Sequence, residues 1–205
     1  GGAVVHLFDS ISRHPNMSPV FNQHEQASAF ASEAYAKVAG LGACFTTTGP
    51  GVTNAITGLV AAWLDSVPCI FISGQSRYEH TTINKNIRQL GTQQIHIIPI
   101  VESLTKYAVM IEDPNKLKYH LQKAIYLVRH GRPGPVWIDL PLNFQWMEID
   151  LDKMEDFDPA EIDDHLPTIK PLEIQKDLDI LLNWLEESKR PLVLAGSGVR
   201  LSGAI

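Results

Sequence analysis

Residues 43–64 read Ala43-Cys44-Phe45-Thr46-Thr47-Thr48-Gly49-Pro50-Gly51-Val52-Thr53-Asn54-Ala55-Ile56-Thr57-Gly58-Leu59-Val60-Ala61-Ala62-Trp63-Leu64. Ala43 to Thr47 has the β-branched and aromatic content of a strand. Thr48-Gly49-Pro50-Gly51 is a turn, with glycine for tight backbone and proline suited to a first helical position. Val52 to Leu64, rich in Ala and Leu, reads as a helix. Upstream, Ala27, Phe30, Ala31, Ala34, Tyr35 and Val38 recur at helical spacing between His24 and Gly40, and Gly40 stops that helix. Downstream, Val67-Pro68-Cys69-Ile70-Phe71-Ile72 is a nearly continuous apolar run, as expected of a strand covered by helices on both faces. Lys106–Ile111 is a further strand candidate. Pro114–His130 reads as a helix begun by Asp113 or Pro114, Gly131-Arg132-Pro133-Gly134 breaks it, and Pro135–Leu140 is a last strand. Nearer the start, Val4, Leu7, Phe8 and Ile11 share a helical face, and Ser18–Asn22 is a short strand candidate. Gln75 to Gln94 is polar and irregular, a long functional loop or short helices. Strands alternating with helices predict the α/β class: a mainly parallel sheet flanked by helices, with right-handed crossovers.

Composition narrows the function classes. The 205 residues include 17 Lys+Arg and 23 Asp+Glu, a formal net charge of −6, which argues against nucleic acid as the main partner. There is no apolar run of eighteen residues and no signal-peptide pattern at the start, so neither membrane insertion nor export is expected. Cys44 and Cys69 both fall in apolar strand candidates, which points to buried free thiols in a reducing, cytoplasmic setting. The eight histidines show no metal-ligand spacing with Cys or Asp, and no metal ligands are predicted in this chain. Both ends, Gly1-Gly2 and Gly203-Ala204-Ile205, read as cuts inside a longer protein.

The composition changes after Pro141. Glu148 to Asp164 is dominated by Asp and Glu and reads as an exposed linker, or alternatively as the solvated face of a helix. The expected division is a first domain over residues 1–145, a linker over 146–170 and the start of a second α/β domain over 171–205. In the last, Ile174, Leu178, Leu181, Leu182 and Leu185 form a helical stripe, and Arg190–Gly198 reads as a strand entering a glycine turn. Gly196-Ser197-Gly198 alone is a weak signal, explained by a strand-ending turn.

The densest set of chemistry-bearing residues joins Asn22-Gln23-His24-Glu25-Gln26-Ala27 to Thr46–Asn54. Both lie where a strand candidate gives way to a helix, the position at which open α/β sheets bind ligands. By position alone, Glu25 reads first as a solvated carboxylate favoured by the helix dipole. Gly49-Pro50-Gly51 is equally an ordinary helix start or an anion site.

Taken together, these motifs resemble the N-terminal, pyrimidine-binding part of thiamine diphosphate-dependent enzymes, above all the catalytic subunit of acetolactate synthase (acetohydroxyacid synthase). The resemblance is carried by Gly1-Gly2-Ala3, His24–Ala27, Ala34-Tyr35-Ala36-Lys37, Thr48–Asn54, Asp65-Ser66-Val67-Pro68, Ser73-Gly74-Gln75 and Gly131–Pro141, in order along residues 1–145. Pro171 onward resembles the opening of that family's middle domain. The resemblance implies that Glu25 hydrogen-bonds a ring nitrogen of the cofactor's aminopyrimidine. This favours the imino form that takes the proton from the thiazolium carbon, and the ring then acts as electron sink for decarboxylation of a 2-oxo acid. It implies that Thr48, Gly49, Pro50, Gly51 and Asn54 lie against the pyrimidine. Gly2 and Ala3 would lie near the thiazolium and substrate, and Gln93 on the substrate side, although Gln93 reads equally as a surface residue. It implies Mg²⁺ held, with the diphosphate, by a Gly-Asp-Gly…Asn motif outside this chain, and it leaves room for FAD in the middle domain. It implies a homodimer or homotetramer with the cofactor at the subunit interface. The sheet's first strand would precede Gly1. The reaction implied joins two 2-oxo acids with loss of CO₂, two pyruvates giving acetolactate, and the isolated chain would be inactive. Departures fall at Ser76-Arg77, where Val-Pro is the family pattern, and at Arg88–Gln94. These positions shape the substrate side and leave the donor 2-oxo acid open. The alternatives are another thiamine diphosphate-dependent 2-oxo acid decarboxylase or lyase, or a non-catalytic assembly module, against which Glu25 argues.

Overall fold

The computed structural model describes residues 1–162 and 171–204. The chain divides into two compact units, Gly1–Ile162 and Asp163–Ile205. The first unit runs α1 (Val5–Arg13), α2 (Glu25–Ala39), β1 (Gly42–Thr46), α3 (Pro50–Asn54), α4 (Ile56–Leu64), β2 (Cys69–Gln75), α5 (Ile98–Val101), β3 (Tyr107–Met110), α6 (Leu117–Leu127) and β4 (Val136–Pro141), joined by short 3-10 turns. The four strands form one parallel sheet in the order β1-β2-β4-β3. The α/β sheet expected from the alternating periods is present.

Two apolar layers cover the sheet. On one face, Phe71 and Trp137 sit opposite each other in the β2–β4 register and stack at 5.1 Å, within a core that includes Ala29, Leu59, Ala62, Ile97 and Val101. On the other, Ile70, Val136, Ile138 and Leu140 pack with Ala124 and Val128 from α6 and its end. Each fully buried aromatic or branched side chain contributes about 1.5–3 kcal/mol through removal from water.

Helix α2 packs on α4 and β1. Its first turn is capped by the His24 imidazole, which accepts from the Gln26 N–H at 3.1 Å, and Gly40 ends it at φ +83°. The helix forms where expected, but the stripe that reveals it faces outward. Phe30, Tyr35 and Val38 are exposed, whereas Ala29, Ser32, Glu33 and Ala36 are buried. Close packing decides this: a Cβ added at Gly58 of α4 would lie 2.5 Å from the Ala29 Cβ, so the inner face of α2 must be small.

Other expectations change in detail. Residues 17–22 are irregular, with Val20 and Phe21 exposed, because Ser18–Asn22 finds no strand to pair with. The helix expected over 52–64 is two helices parted at Ala55. The helix expected from Pro114 begins with a 3-10 turn, in which the Asp113 carboxylate accepts from the Asn115 N–H at 2.9 Å.

The acidic stretch read as exposed from Glu148 on docks against α6 as far as Ile162. Met154 and Phe157 are buried, and the Phe157 N–H donates to Gln122 Oε1 at 2.8 Å. Asp156 pairs with Lys118 at 2.8 Å, and the Tyr119 hydroxyl donates to Glu161 at 2.6 Å. A few apolar residues spaced among the acids suffice to seat it. Residues 163–170 of the expected linker lie outside the described residues.

The second unit contains α7 (Pro171–Glu187) and α8 (Ser197–Leu201). The Ile174–Leu185 stripe lies on α7 and is exposed. The strand expected at Arg190–Gly198 is absent: residues 191–196 carry no ladder, and Ser197 starts α8. A strand exists only through hydrogen bonds to a neighbour, and among the described residues this unit offers none.

Candidate active site

Glu25 is the first residue of α2, partly exposed, where the helix dipole favours a negative charge. Its Oε2 accepts from Asn54 Nδ2 at 3.1 Å. Gly51 lies beside the same carboxylate: a Cβ there would stand 3.0 Å from Glu25 Oε1 and 2.5 Å from Thr47 Cγ2. Burial pushes the Glu25 carboxyl up. The hydrogen bonds from Asn54 and from its own backbone N–H, with the nearby His24, more than offset this and hold it below its ordinary range. Glu25 therefore stands as an anionic acceptor, with one oxygen engaged by Asn54 and the other beside a glycine.

The turn after β1 is built from unusual backbone. Gly49 has φ +65°, and a Cβ there would meet the Gln93 carbonyl oxygen at 2.6 Å. Pro50 opens α3. Thr48 is buried, and its hydroxyl donates to Gln75 Oε1 at 3.1 Å, with the Gln93 carbonyl at 3.4 Å. Gln93 itself holds φ +56°, a conformation that costs a non-glycine residue of order 1 kcal/mol and that clusters at functional sites. The structure thus brings Glu25, Thr48, Gly49, Pro50, Gly51, Asn54 and the Gln93 backbone together at the carboxyl end of β1.

Gly2 and Ala3 lie in a 3-10 turn against the carboxyl end of β2. A Cβ at Gly74 would come within 1.8 Å of the Ala3 carbonyl oxygen, so glycine is required for that contact. The same oxygen accepts from Gln145 Nε2 at 2.7 Å. A Cβ at Gly1 would meet Thr47, which links this turn to the first group, and Gly2 has open space beside it.

Sequence reasoning gave no role to four buried residues behind this arrangement. Gln75 donates through Nε2 to Asp139 Oδ2 at 2.9 Å and to the Ile95 carbonyl at 2.8 Å. Asp139 Oδ1 accepts from Ser73 Oγ at 2.6 Å, and Ser73 Oγ accepts from Trp137 Nε1 at 2.9 Å. Burial pushes the Asp139 carboxyl up to about 6, partly offset by the donors Ser73 and Gln75. The available signal was an acid inside an otherwise apolar strand, Val136–Leu140.

Among the described residues, no cluster of three or more His, Cys, Asp or Glu could hold a metal ion. No described helix is long and apolar enough to cross a membrane. Cys44 and Cys69 are free and buried, their thiols pushed up by burial to about 12 and about 11.

A parallel sheet whose first carboxyl-end turn is glycine-lined and faces a glutamate in the first turn of a helix has the architecture of a cofactor-binding α/β domain. Residues 1–100 match the family described as thiamine pyrophosphate enzyme, N-terminal TPP binding domain, and this part of the chain belongs to that family. Proteins named acetolactate synthase match the chain along nearly its whole length. It is 36% identical over 207 residues to a probable acetolactate synthase large subunit of Methanocaldococcus jannaschii, covering 100% of this chain and 33% of that one. It is 35% identical over 211 residues to the acetolactate synthase large subunit of Lactococcus lactis, covering 100% and 34% respectively. It is 34% identical over 203 residues to the chloroplastic acetolactate synthase 2 of Nicotiana tabacum, covering 97% and 29%. The chain spans about a third of the length of these relatives.

Proposed function

We propose that this chain supplies the pyrimidine-binding side of a thiamine diphosphate-dependent enzyme that joins two 2-oxo acids with loss of CO₂, as acetolactate synthase joins two pyruvates. The observation that carries the reading is the Glu25 carboxylate, held by Asn54 and left accessible beside Gly51. These residues fit the group. An anionic acceptor at a helix start suits a ring nitrogen that must share a proton, and a glycine-lined turn lets a flat ring approach the backbone. Thr48, Gly49, Pro50, Gly51 and Asn54 would hold the pyrimidine. Glu25 would hold and return a proton at its carboxylate, and Gly2, Ala3 and Gln93 would bound the substrate side. When bound, the cofactor supplies the nucleophilic carbon and the electron sink for decarboxylation. Mg²⁺ would be held by residues outside this chain, and FAD, if used, by the domain that begins near Pro171.

The outward stripe of α2 supports a homodimer or homotetramer. It starts two residues after Glu25 and runs through Phe30, Tyr35 and Val38, so a second copy of the whole polypeptide seated on it would close the cofactor site. The buried free thiols suit a reducing compartment such as the cytoplasm.

The test is product analysis. The complete polypeptide, given thiamine diphosphate, Mg²⁺ and pyruvate, should release one CO₂ per acetolactate formed, and Glu25→Gln should abolish nearly all of it. A free aldehyde would favour a decarboxylase without carboligation, and turnover of a 2-oxo acid other than pyruvate would fit Ser76-Arg77 in place of the family's Val-Pro. Cofactor binding without turnover on any 2-oxo acid would favour an assembly module.

A further inference from the structure

The Gln75 side chain uses its whole hydrogen-bonding capacity. An amide has two N–H donors and one oxygen with two lone pairs. Nε2 donates to Asp139 Oδ2 and to the Ile95 carbonyl, while Oε1 accepts from the Thr48 hydroxyl at 3.1 Å and from the Ser76 N–H at 2.9 Å. The two ends of the amide therefore serve different segments. The oxygen holds the turn after β1, and the nitrogen holds the loop that carries Gln93.

Turned the other way, the amide would set its nitrogen against the Ser76 N–H, donor facing donor, and its oxygen against the Ile95 carbonyl. Asp139 reinforces this orientation, because an ionised carboxylate only accepts. Asp139 is fixed in turn by the Ser73 hydroxyl, whose oxygen is engaged by the buried Trp137 indole. Gln75, Ser73, Asp139 and Trp137 lie on one face of β2 and β4, with Ser73 directly opposite Asp139.

We infer that Asp139 and Gln75 form a positioning relay: Asp139, together with the Ser76 N–H and the Ile95 carbonyl, fixes which end of the Gln75 amide faces which loop, and Gln75, so fixed, holds the Thr48–Gly49 turn and the Gln93 loop against each other. The contact they hold is demanding. Gly49 and Gln93 both have positive φ, and their backbones touch closely enough that no side chain fits at Gly49. Two segments 45 residues apart along the chain meet there. None of the four relay residues needs to touch cofactor or substrate. The relay's effect on catalysis rests on the functional reading above, but its effect on the loops does not.

The experiment uses the complete polypeptide. Amide hydrogen exchange is read without cofactor over residues 46–50 and 92–96, and the half-saturating thiamine diphosphate concentration and kcat are measured beside it. In Asp139→Asn one of the two acceptor oxygens becomes a donor, so the side chain can no longer accept from both Ser73 and Gln75. The substitution should speed exchange in both segments about tenfold, with residues 107–110 and 117–127 unchanged, and raise the half-saturating cofactor concentration more than it lowers kcat. The double variant Gln75→Glu with Asp139→Asn restores a matched pair with the roles exchanged: the amide introduced on β4 donates to the carboxylate introduced on β2, whose other oxygen still accepts from Thr48 and Ser76. Exchange over 46–50 should return towards wild type, while 92–96 stays fast, because the Ile95 carbonyl has lost its donor. Should Asp139→Asn not fold, Thr48→Val cuts the relay at its outer end and should loosen 46–50 alone.

Unchanged exchange, a rise spread through the whole sheet, or no segment-specific rescue in the double variant overturns the relay. If the loops respond as expected but the wild-type protein shows no dependence on thiamine diphosphate, the relay stands and the functional reading falls. If turnover depends on the cofactor and the loops do not respond, the relay alone falls.

Discussion

Strands β2 and β4 present different chemistry on their two faces. On the α6 side, Ile70, Ile72, Val136, Ile138 and Leu140 are apolar from end to end. On the α4 side, the amino-terminal half is equally apolar, with Cys69, Phe71 and Trp137, but the carboxyl-terminal half switches to Ser73, Gln75 and Asp139. The switch occurs within one step of the pleat, between the stacked Phe71–Trp137 pair and the hydrogen-bonded Ser73–Asp139 pair. The uniformly apolar face can tolerate change limited only by volume. The mixed face combines packing at one end with directed hydrogen bonds at the other, and those bonds end at the turn that carries the candidate site.

Substitutions on the two faces should therefore separate function from stability. The largest effect is expected at the candidate site that the mixed face supports: Glu25→Gln in the complete enzyme should lower turnover by about 10²–10⁴-fold, the range typical of a lost acid–base group, with the unfolding midpoint close to wild type. On the apolar face, Ile138→Ala should do the reverse. It should cost about 2–5 kcal/mol in denaturant unfolding, with half-saturating cofactor unchanged. If Ile138→Ala weakens cofactor binding as strongly as it weakens the fold, the two faces are not independent. Ser73→Ala should cost less, about 1–3 kcal/mol, by leaving the Asp139 carboxylate and the Trp137 N–H each short of a partner. Calorimetry of this variant compares the hydrogen-bonded half directly with the apolar one.

A smaller effect is expected in pH dependence. The Asp139 carboxyl titrates at about 6 in the folded protein against an ordinary 3.8, so between those values the folded state binds the extra proton. Its contribution to stability therefore falls as pH rises from about 4 to about 6 and is flat above. Glu25, held below its ordinary 4.5, acts in the opposite sense: its contribution is present above that value and is lost as the pH falls further. Denaturant midpoints from pH 4 to 7 should show a downward slope that Asp139→Asn removes. A slope unchanged in that variant would assign it to another group.

Much of this was legible in the sequence. Strands β2 and β4 were legible because burial on both faces leaves a nearly continuous apolar run, whereas Ser18–Asn22 and Arg190–Gly198 had the composition of strands but no neighbour to pair with among the described residues. The turn at Thr48–Gly51 was legible because glycine and proline act locally. Glu25 and Asn54, 29 residues apart, were both singled out, and the fold brings them together at 3.1 Å. The side of α2 that faces inward was not legible, since Gly58 of a later helix sets it by contact with Ala29 rather than by hydrophobicity. Nor was the bond between Gln75 and Asp139, which exists only once strands 64 residues apart are aligned in register. The residues that order the site are thus ones whose partners lie far along the chain.

Trp137 has an optical consequence. It is fully buried, stacked on Phe71 and bonded to Ser73, whereas Trp63, Trp146 and Trp184 are 37%, 45% and 67% exposed. An aqueous quencher such as iodide should silence the three exposed indoles and leave the emission of the fourth. That remaining light comes from a chromophore one hydroxyl away from the Asp139 carboxylate, so its wavelength should follow the charge there without any attached dye.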